Sequence, residues 1–464
     1  MNVKPTLMVL VIMAMVSFPP AEKSRAASID FADIERTVIA EIEEKNTPGA
    51  AIAIIQNDRV LFARGFGVAS VEINAQVTAD MLFRMGSTTK MFTAAAIVAL
   101  AEQGKIKLDS PIGNYVRGLS PRLSQVTAHQ LISNTAGLRD TIEPLQSQDD
   151  SSLGRMIRSW KDDAFFTEPG RVFSYSSAGY WLAGLVIEEV TGKPYGDAME
   201  EILFKPLGMN RSTFRPTVAM TYPLALGHNT GENEKPAVIR PAFNNTAQWA
   251  AGSIFSSVND LARFLIAFLN DGKLEGRQVL SPSLIANLSA SQAAIPSDED
   301  SKYGYGLMNF RYRGTEFTGH GGFSRGYGSM IQMARRERVA VIILTNRSGE
   351  TLPKTLEKAM ESLLPLEAKA DEKPRVSLAM SASEMKNFAG AYSHHPMTWE
   401  IFVKDGKLFL RFDSREHPLR RVDKLKFVYG ASDENEIAFV EGADGKIEYL
   451  FADLYAAKKA KSAR

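Results

Sequence analysis

The chain of 464 residues contains no cysteine. That absence excludes a thiol nucleophile, structural disulfides, cysteine-ligated zinc and a lipid-modified cysteine behind a leader. Net charge is nearly absent too: 54 Lys and Arg face 53 Asp and Glu, a balance of +1. No global field therefore draws the chain to nucleic acid or to an anionic membrane. The basic cluster from Lys458 to Arg464 reads as a solvated end. The apolar run from Leu7 to Phe18 is too short to span a bilayer comfortably. It follows Met1-Asn2-Val3-Lys4 and precedes Pro19-Pro20 and Ser24-Arg25-Ala26-Ala27, the pattern of a secretory signal peptide over residues 1–27. A periplasmic or secreted protein is expected, with no stable membrane anchor once the signal is cleaved.

What is present, 45% hydrophobic and 9% aromatic residues, suffices for one large core and a smaller domain. Between Ile29 and Lys45, Ile34, Val38 and Ile42 recur at helical spacing, and Asn46-Thr47-Pro48-Gly49 stops the helix. Ala50 to Ile55 and Val60 to Ala63 read as a hairpin around Gln56-Asn57-Asp58-Arg59. Helices and loops dominate the next two hundred or so residues. Strands return at Glu316 to Gly321, Tyr327 to Ala334 and Val339 to Thr345, and a helix from about Thr351 to Leu364 closes the domain.

The expected fold class is α+β. One antiparallel sheet is built from both ends of a domain spanning residues 28–365, flanked by helices, with a helical lobe beside it and a cleft at the seam. The charged stretch 366–375, ending near Pro374, reads as a linker. Short strands joined by turns such as Asp405-Gly406 and Asp444-Gly445 make residues 376–464 a small β-barrel. The first domain is expected to fold without this tail, which is free to shape substrate access.

The chemistry centres on Phe83-Arg84-Met85-Gly86-Ser87-Thr88-Thr89-Lys90, which runs into a helix apolar on every side. Three residues is just under one turn, so Ser87 and Lys90 share a face. A serine needs a base, and lysine is a base only when neutral. Partial burial and the positive end of a helix dipole both disfavour the ammonium form. Ser-x-x-Lys recurs at Ser383-Glu384-Met385-Lys386, where a helix cap or solvated turn explains it.

Two further stretches carry relevant groups. Glu168 to Tyr180 delivers Tyr175 just before a helix, where a phenol against Lys90 is expected to lose its proton more easily and relay it to a leaving group. Thr318-Gly319-His320-Gly321-Gly322-Phe323 lies on a strand, with glycines that let a substrate backbone lie against it. His394-His395 lacks a surrounding ligand set, and adjacent side chains on a strand diverge, so no metal site is expected.

Together these residues resemble the serine β-lactamase and penicillin-binding-protein superfamily, in its class C β-lactamase-like branch with D-aminopeptidases, DD-carboxypeptidases and esterases. The resemblance runs from about Ile29 to Leu364 and includes Leu131 to Leu138 and Ala251 to Ser257. It implies that Ser87 is acylated, that Lys90 and Tyr175 shuttle protons, and that Ser177 and the His320-Gly321-Gly322 strand bind substrate. The backbone N–H groups of Ser87 and Phe323 would form the oxyanion hole. The implied enzyme is a hydrolase working through an acyl-enzyme on ester, peptide or β-lactam-like small molecules, without metal or cofactor, and the tail resembles the lipocalin-like domains of some relatives; the alternative, which the change at Ser177 supports, is a catalytically weak or silent relative that binds peptidoglycan or peptides through the same cleft. Ser177 stands where the family usually has asparagine and His320 where true β-lactamases have lysine, with Gly321 removing a hydroxyl beside it. A carboxylate-bearing substrate thereby loses a fixed charge and a donor, which favours esters.

Overall fold

The computed structural model describes residues 29–140, 146–229, 235–369, 375–394, 396–430 and 435–460. The expected signal peptide, residues 370–374 of the expected linker, His395 and residues 461–464 lie outside the described residues.

The first domain opens with α1 (Phe31–Glu44), capped by the Asp30 carboxylate, and passes into β1 (Gly49–Gln56), β2 (Arg59–Ser70) and β3 (Ala75–Gln76). The helices that position the site are α2 (Thr89–Glu102), α3 (Ser177–Thr191) and α4 (Val258–Leu269). Six more strands follow: β4 (Ala293–Ile295), β5 (Asp298–Tyr303), β6 (Met308–Tyr312), β7 (Thr315–Ser324), β8 (Tyr327–Ala334) and β9 (Val339–Thr345). They join the first three in one nine-stranded sheet of order β4-β5-β6-β7-β8-β9-β1-β2-β3, and α5 (Pro353–Leu363) completes the domain.

The sheet is assembled from both ends of the domain, as the hydrophobic runs imply. β1 lies antiparallel between β2 and β9, with Ile52 opposite Ile343 and Ile54 opposite Val341. Alternation along β1 feeds two cores. Ala50, Ile52 and Ile54 pack with Ile34, Val38 and Ile42 of α1 and Met360 of α5. Ala51, Ala53 and Ile55 face the larger core of α2, α3 and α4. Sequence patterning missed β4 to β6, because Asp298-Glu299-Asp300 makes the edge of the sheet polar and exposed.

The tail forms a second nine-stranded antiparallel sheet whose two outermost strands are Arg415–Pro418 and Arg420–Arg421. Only Leu419 separates them in sequence, so the sheet has to wrap round until its edges nearly meet, giving the expected barrel. Gly390–His394 and Tyr455–Lys459, not read as strands from the sequence, pair within it. Ser383 and Lys386 sit on the exposed helix Ala382–Phe388, capped by Ser381, which is the solvated context expected for the second Ser-x-x-Lys.

The barrel packs against the first domain through a common apolar cluster. Phe166, Phe173, Tyr175 and Tyr303 from one side meet Tyr449, Phe451 and Ala456 from the other. Tyr449 Oη and Thr167 Oγ1 are 2.6 Å apart within this interface.

Candidate active site

Ser87 lies in a single 3-10 turn, Gly86–Thr88, that leads into α2. The turn is clamped from both sides. The Met85 N–H donates to Ile254 O at 2.9 Å, and the Ser329 hydroxyl of β8 donates to Met85 O at 2.6 Å. Gly86 has φ of 55°, and a Cβ there would meet Phe323 O at 2.3 Å; a Cβ on Gly322 would meet Met85 O at 2.0 Å. Both positions require glycine because two backbones touch there, and the contact brings Phe323 beside Ser87. It also differs from the expectation for Gly322, whose bare side is filled by Met85 of the same chain.

Lys90 is fully buried in the first turn of α2. Its Nζ donates to Ser87 Oγ at 3.2 Å, to Ser177 Oγ at 3.4 Å and to Ala251 O at 3.0 Å. Burial pushes its ammonium down to about 8, with the charge of Asp140 opposing. No carboxylate pairs with Lys90 among the described residues, so the neutral amine is within reach at ordinary pH.

Tyr175 is brought to Lys90 by the extended segment before α3. Asn134, with φ of 57°, holds that segment: its carbonyl accepts the Ser174 N–H at 2.9 Å and its side-chain oxygen the Ser176 N–H at 3.1 Å. Lys90 Nζ lies 4.7 Å from the centroid of the Tyr175 ring, so the amine meets the π face rather than the phenol oxygen. Burial pushes the phenol well above its ordinary value, neighbouring Tyr303 adds to the rise, and a hydrogen bond with Ser87 works the other way. This corrects the expectation of an easily ionised tyrosine. In a dry aromatic pocket the phenolate is disfavoured, and Tyr175 is equipped to donate a proton rather than to take one.

Ser177, the first residue of α3, keeps a hydroxyl contact with Lys90. Its N–H donates to the carboxylate of Asp140. His320 is buried: Nε2 is 3.4 Å from Tyr303 Oη, and Nδ1 faces Gly321 O. Burial, reinforced by Lys90, pushes its imidazole down to about 4, so it stays neutral and supplies no charge. Gly321 is partly exposed beside it.

In front of Ser87 opens a cleft of about 390 Å³. Trp181, Phe243 and Phe323 supply aromatic walls and Arg84 and Arg325 supply two guanidiniums, with no acidic side chain among the lining residues. His320 and Tyr175, both buried, are not among the residues that line it. Arg84 is 3% exposed, donates to Phe243 O and to Ser253 Oγ (3.0 Å), and has no carboxylate partner among the described residues. Sequence reasoning passed over this arginine, although it stands three residues before the nucleophile. Asp140, Tyr303 and Trp181 were missed as well, since none lies in a stretch whose pattern marks a site.

A family model described as beta-lactamase matches residues 34–363. Penicillin-binding protein 4 of Amycolatopsis lactamdurans is 29% identical over 314 residues, covering 65% of this chain and 82% of that protein. Among solved structures, that of SurE superposes with a TM-score of 0.75 at 23% identity, over 92% of this chain and 99% of that one. A D-amino acid amidase from Ochrobactrum anthropi, complexed with L-phenylalanine amide, gives 0.59 at 24% identity, over 71% of this chain and 98% of the amidase. The SurE alignment extends well past the first domain, so the two-domain architecture is held in common. The family match takes in Ser87, Lys90, Tyr175, Ser177 and the His320 strand, and with it the chain is identified as a serine hydrolase of the beta-lactamase family.

Proposed function

We propose that this protein is an exported hydrolase that forms an acyl-enzyme on Ser87, with esters or D-amino-acid amides as substrates and esters turned over most readily. The single observation that carries the proposal is the Lys90 amine, fully buried, without a carboxylate partner among the described residues and 3.2 Å from Ser87 Oγ. In the first step neutral Lys90 takes the Ser87 proton while Oγ bonds to the substrate carbonyl carbon. The resulting oxyanion is held by the backbone N–H groups of Ser87 and Phe323. The tetrahedral intermediate expels the alkoxide or amine, which leaves with the proton now on Lys90, while the Tyr175 phenol, hydrogen-bonded to Ser87, stands beside it as a donor. Water then attacks the acyl-Ser87 ester, again giving its proton to Lys90, and the acid departs as the Ser87 hydroxyl is restored.

Support for esters comes from Ser177 and His320. A hydroxyl at position 177 keeps the lysine contact but offers no amide to a substrate amide, and His320 is neutral where a fixed cation would grip the carboxylate of a β-lactam. Losing one charge-assisted hydrogen bond costs about 1.5–3 kcal/mol, roughly ten- to a hundredfold in rate. The arginines of the cleft favour substrates with negative charge elsewhere over cationic ones. The test compares kcat/KM for p-nitrophenyl butyrate with that for nitrocefin, using Ser87→Ala as background. Faster ester turnover is expected, with partial recovery of nitrocefin turnover in Ser177→Asn. Nitrocefin turnover equal to or above the ester rate contradicts the proposal.

A further inference from the structure

The contacts between barrel and first domain are not confined to apolar packing. Where the barrel hairpin turns at Asp453–Leu454, its backbone bonds directly to the segment carrying Tyr175. The Tyr175 N–H donates to Leu454 O at 2.9 Å, and the Ala456 N–H donates to Ser174 Oγ at 3.2 Å. The Tyr455 ring stands perpendicular to that of Tyr175, centroids 6.4 Å apart. The Tyr455 hydroxyl donates to Asp140 Oδ2 at 3.3 Å, and the other oxygen of that carboxylate accepts the N–H of Ser177. His394, buried within the barrel, accepts the Asp140 N–H on Nε2 at 3.2 Å and has Nδ1 2.9 Å from Ala456 O.

We infer that the barrel is a working part of the active site: Tyr455 and His394 are positioning residues that fix Asp140, and Asp140 in turn fixes Ser177 at the head of α3 against Lys90. The geometry closes a circuit. One carboxylate is held on its backbone by His394 and on one oxygen by Tyr455, leaving the second oxygen to pin the Ser177 N–H. Ser177 Oγ is one of three acceptors that orient the Lys90 amine. The same hairpin anchors the backbone of Tyr175, so two groups that must meet Ser87 within a fraction of an ångström are seated by residues more than 250 positions away in the chain. Small misplacement of such groups lowers the rate of the chemical step while leaving the cleft that binds substrate in place. Of Tyr455, His394, Asp140, Tyr175 and Ser177, only Ser177 lines the cleft.

This inference rests on the acyl-transfer reading of the site, and its test separates the two. Tyr455→Phe removes one hydroxyl and keeps the ring. Tyr449→Phe is the control, because it removes the bond to Thr167 across the same interface without touching Asp140. With p-nitrophenyl butyrate, Tyr455→Phe is expected to lower kcat about tenfold with KM within about twofold, at an unchanged melting temperature; Tyr449→Phe is expected to leave kcat near wild type. Asp140→Asn, which keeps one acceptor oxygen, should fall less than Asp140→Ala. The rate of fluorophosphonate labelling at Ser87 should drop in parallel with kcat. Equal labelling rates in Tyr455→Phe and wild type, or an equal loss in Tyr449→Phe, overturn the inference alone. A wild-type Ser87 that does not label overturns the acyl-transfer reading and this inference with it.

Discussion

The Lys90 amine gives the sharpest pH prediction. An ordinary lysine titrates near 10.5, and burial brings this one to about 8. At pH 7 the neutral fraction is then about one-tenth, against about one part in three thousand for an unperturbed lysine. The difference is worth about 3 kcal/mol of base availability. Acylation should therefore rise about tenfold per pH unit below about 8 and level off above it. The groups facing Lys90 are Asp140, His320, Tyr175 and Tyr180, with the two serine hydroxyls. Burial pushes the His320 imidazole down to about 4 and holds both phenols high, so none of these three rings competes with Lys90 near pH 8. The assay is kcat/KM for p-nitrophenyl butyrate from pH 5.5 to 9.5, corrected with Ser87→Ala. His320→Gln should leave the limb where it is, and Asp140→Asn should move it to lower pH by removing the charge that stabilises the ammonium. Lys90→Arg should abolish turnover, because a guanidinium does not surrender its proton. A flat profile, or a limb that follows His320, refutes the reasoning.

Other outcomes follow from the same structure. Lys90 is depressed in the fold, so the folded state binds fewer protons than the unfolded chain between about 8 and 10.5, and its destabilising effect is full below 8 and relieved as pH rises. Lys90→Met should accordingly compare better with wild type in urea unfolding at pH 7 than at pH 10, and the reverse order contradicts the burial argument. Truncation at Glu367 should leave a chain that unfolds cooperatively, because the two main cores of the first domain contain no barrel residue, but melts lower and loses most activity. An aggregated product without a transition would show instead that the first domain needs its tail. Arg325→Ala should raise KM for an acidic ester such as p-nitrophenyl hemiglutarate several-fold more than for p-nitrophenyl butyrate. Equal effects on the two esters would remove Arg325 from substrate selection.

How much of this was legible beforehand depended on the range of the interaction. The Ser87–Lys90 pair is local, spanning the 3-10 turn and the start of α2, and the apolar surround of α2 already marked it as interior. The sheet of two chain ends was legible because β1 and β9 are continuous apolar runs that need burial on both faces. The pairing of Asp140 with Tyr455 spans 315 positions and leaves no mark on local periodicity. Nor does the identity of Asn134, whose left-handed backbone and side-chain acceptor matter only once the Tyr175 segment lies against it. The ionisation of Tyr175 was misread for a related reason. Proximity to a lysine argues for a lowered phenol, but the rings of Tyr303 and Tyr455 exclude the water that a phenolate needs.

The central claim is that Ser87, activated by Lys90, carries the acyl group. Quenching the reaction with p-nitrophenyl butyrate in acid during the burst, then digesting the protein and sequencing its peptides by mass spectrometry, tests it most directly. One butyryl group per chain, on the peptide containing Ser87 and absent from Ser87→Ala, is the predicted result; butyrylation at Ser383 or at any other residue while turnover persists in Ser87→Ala contradicts it.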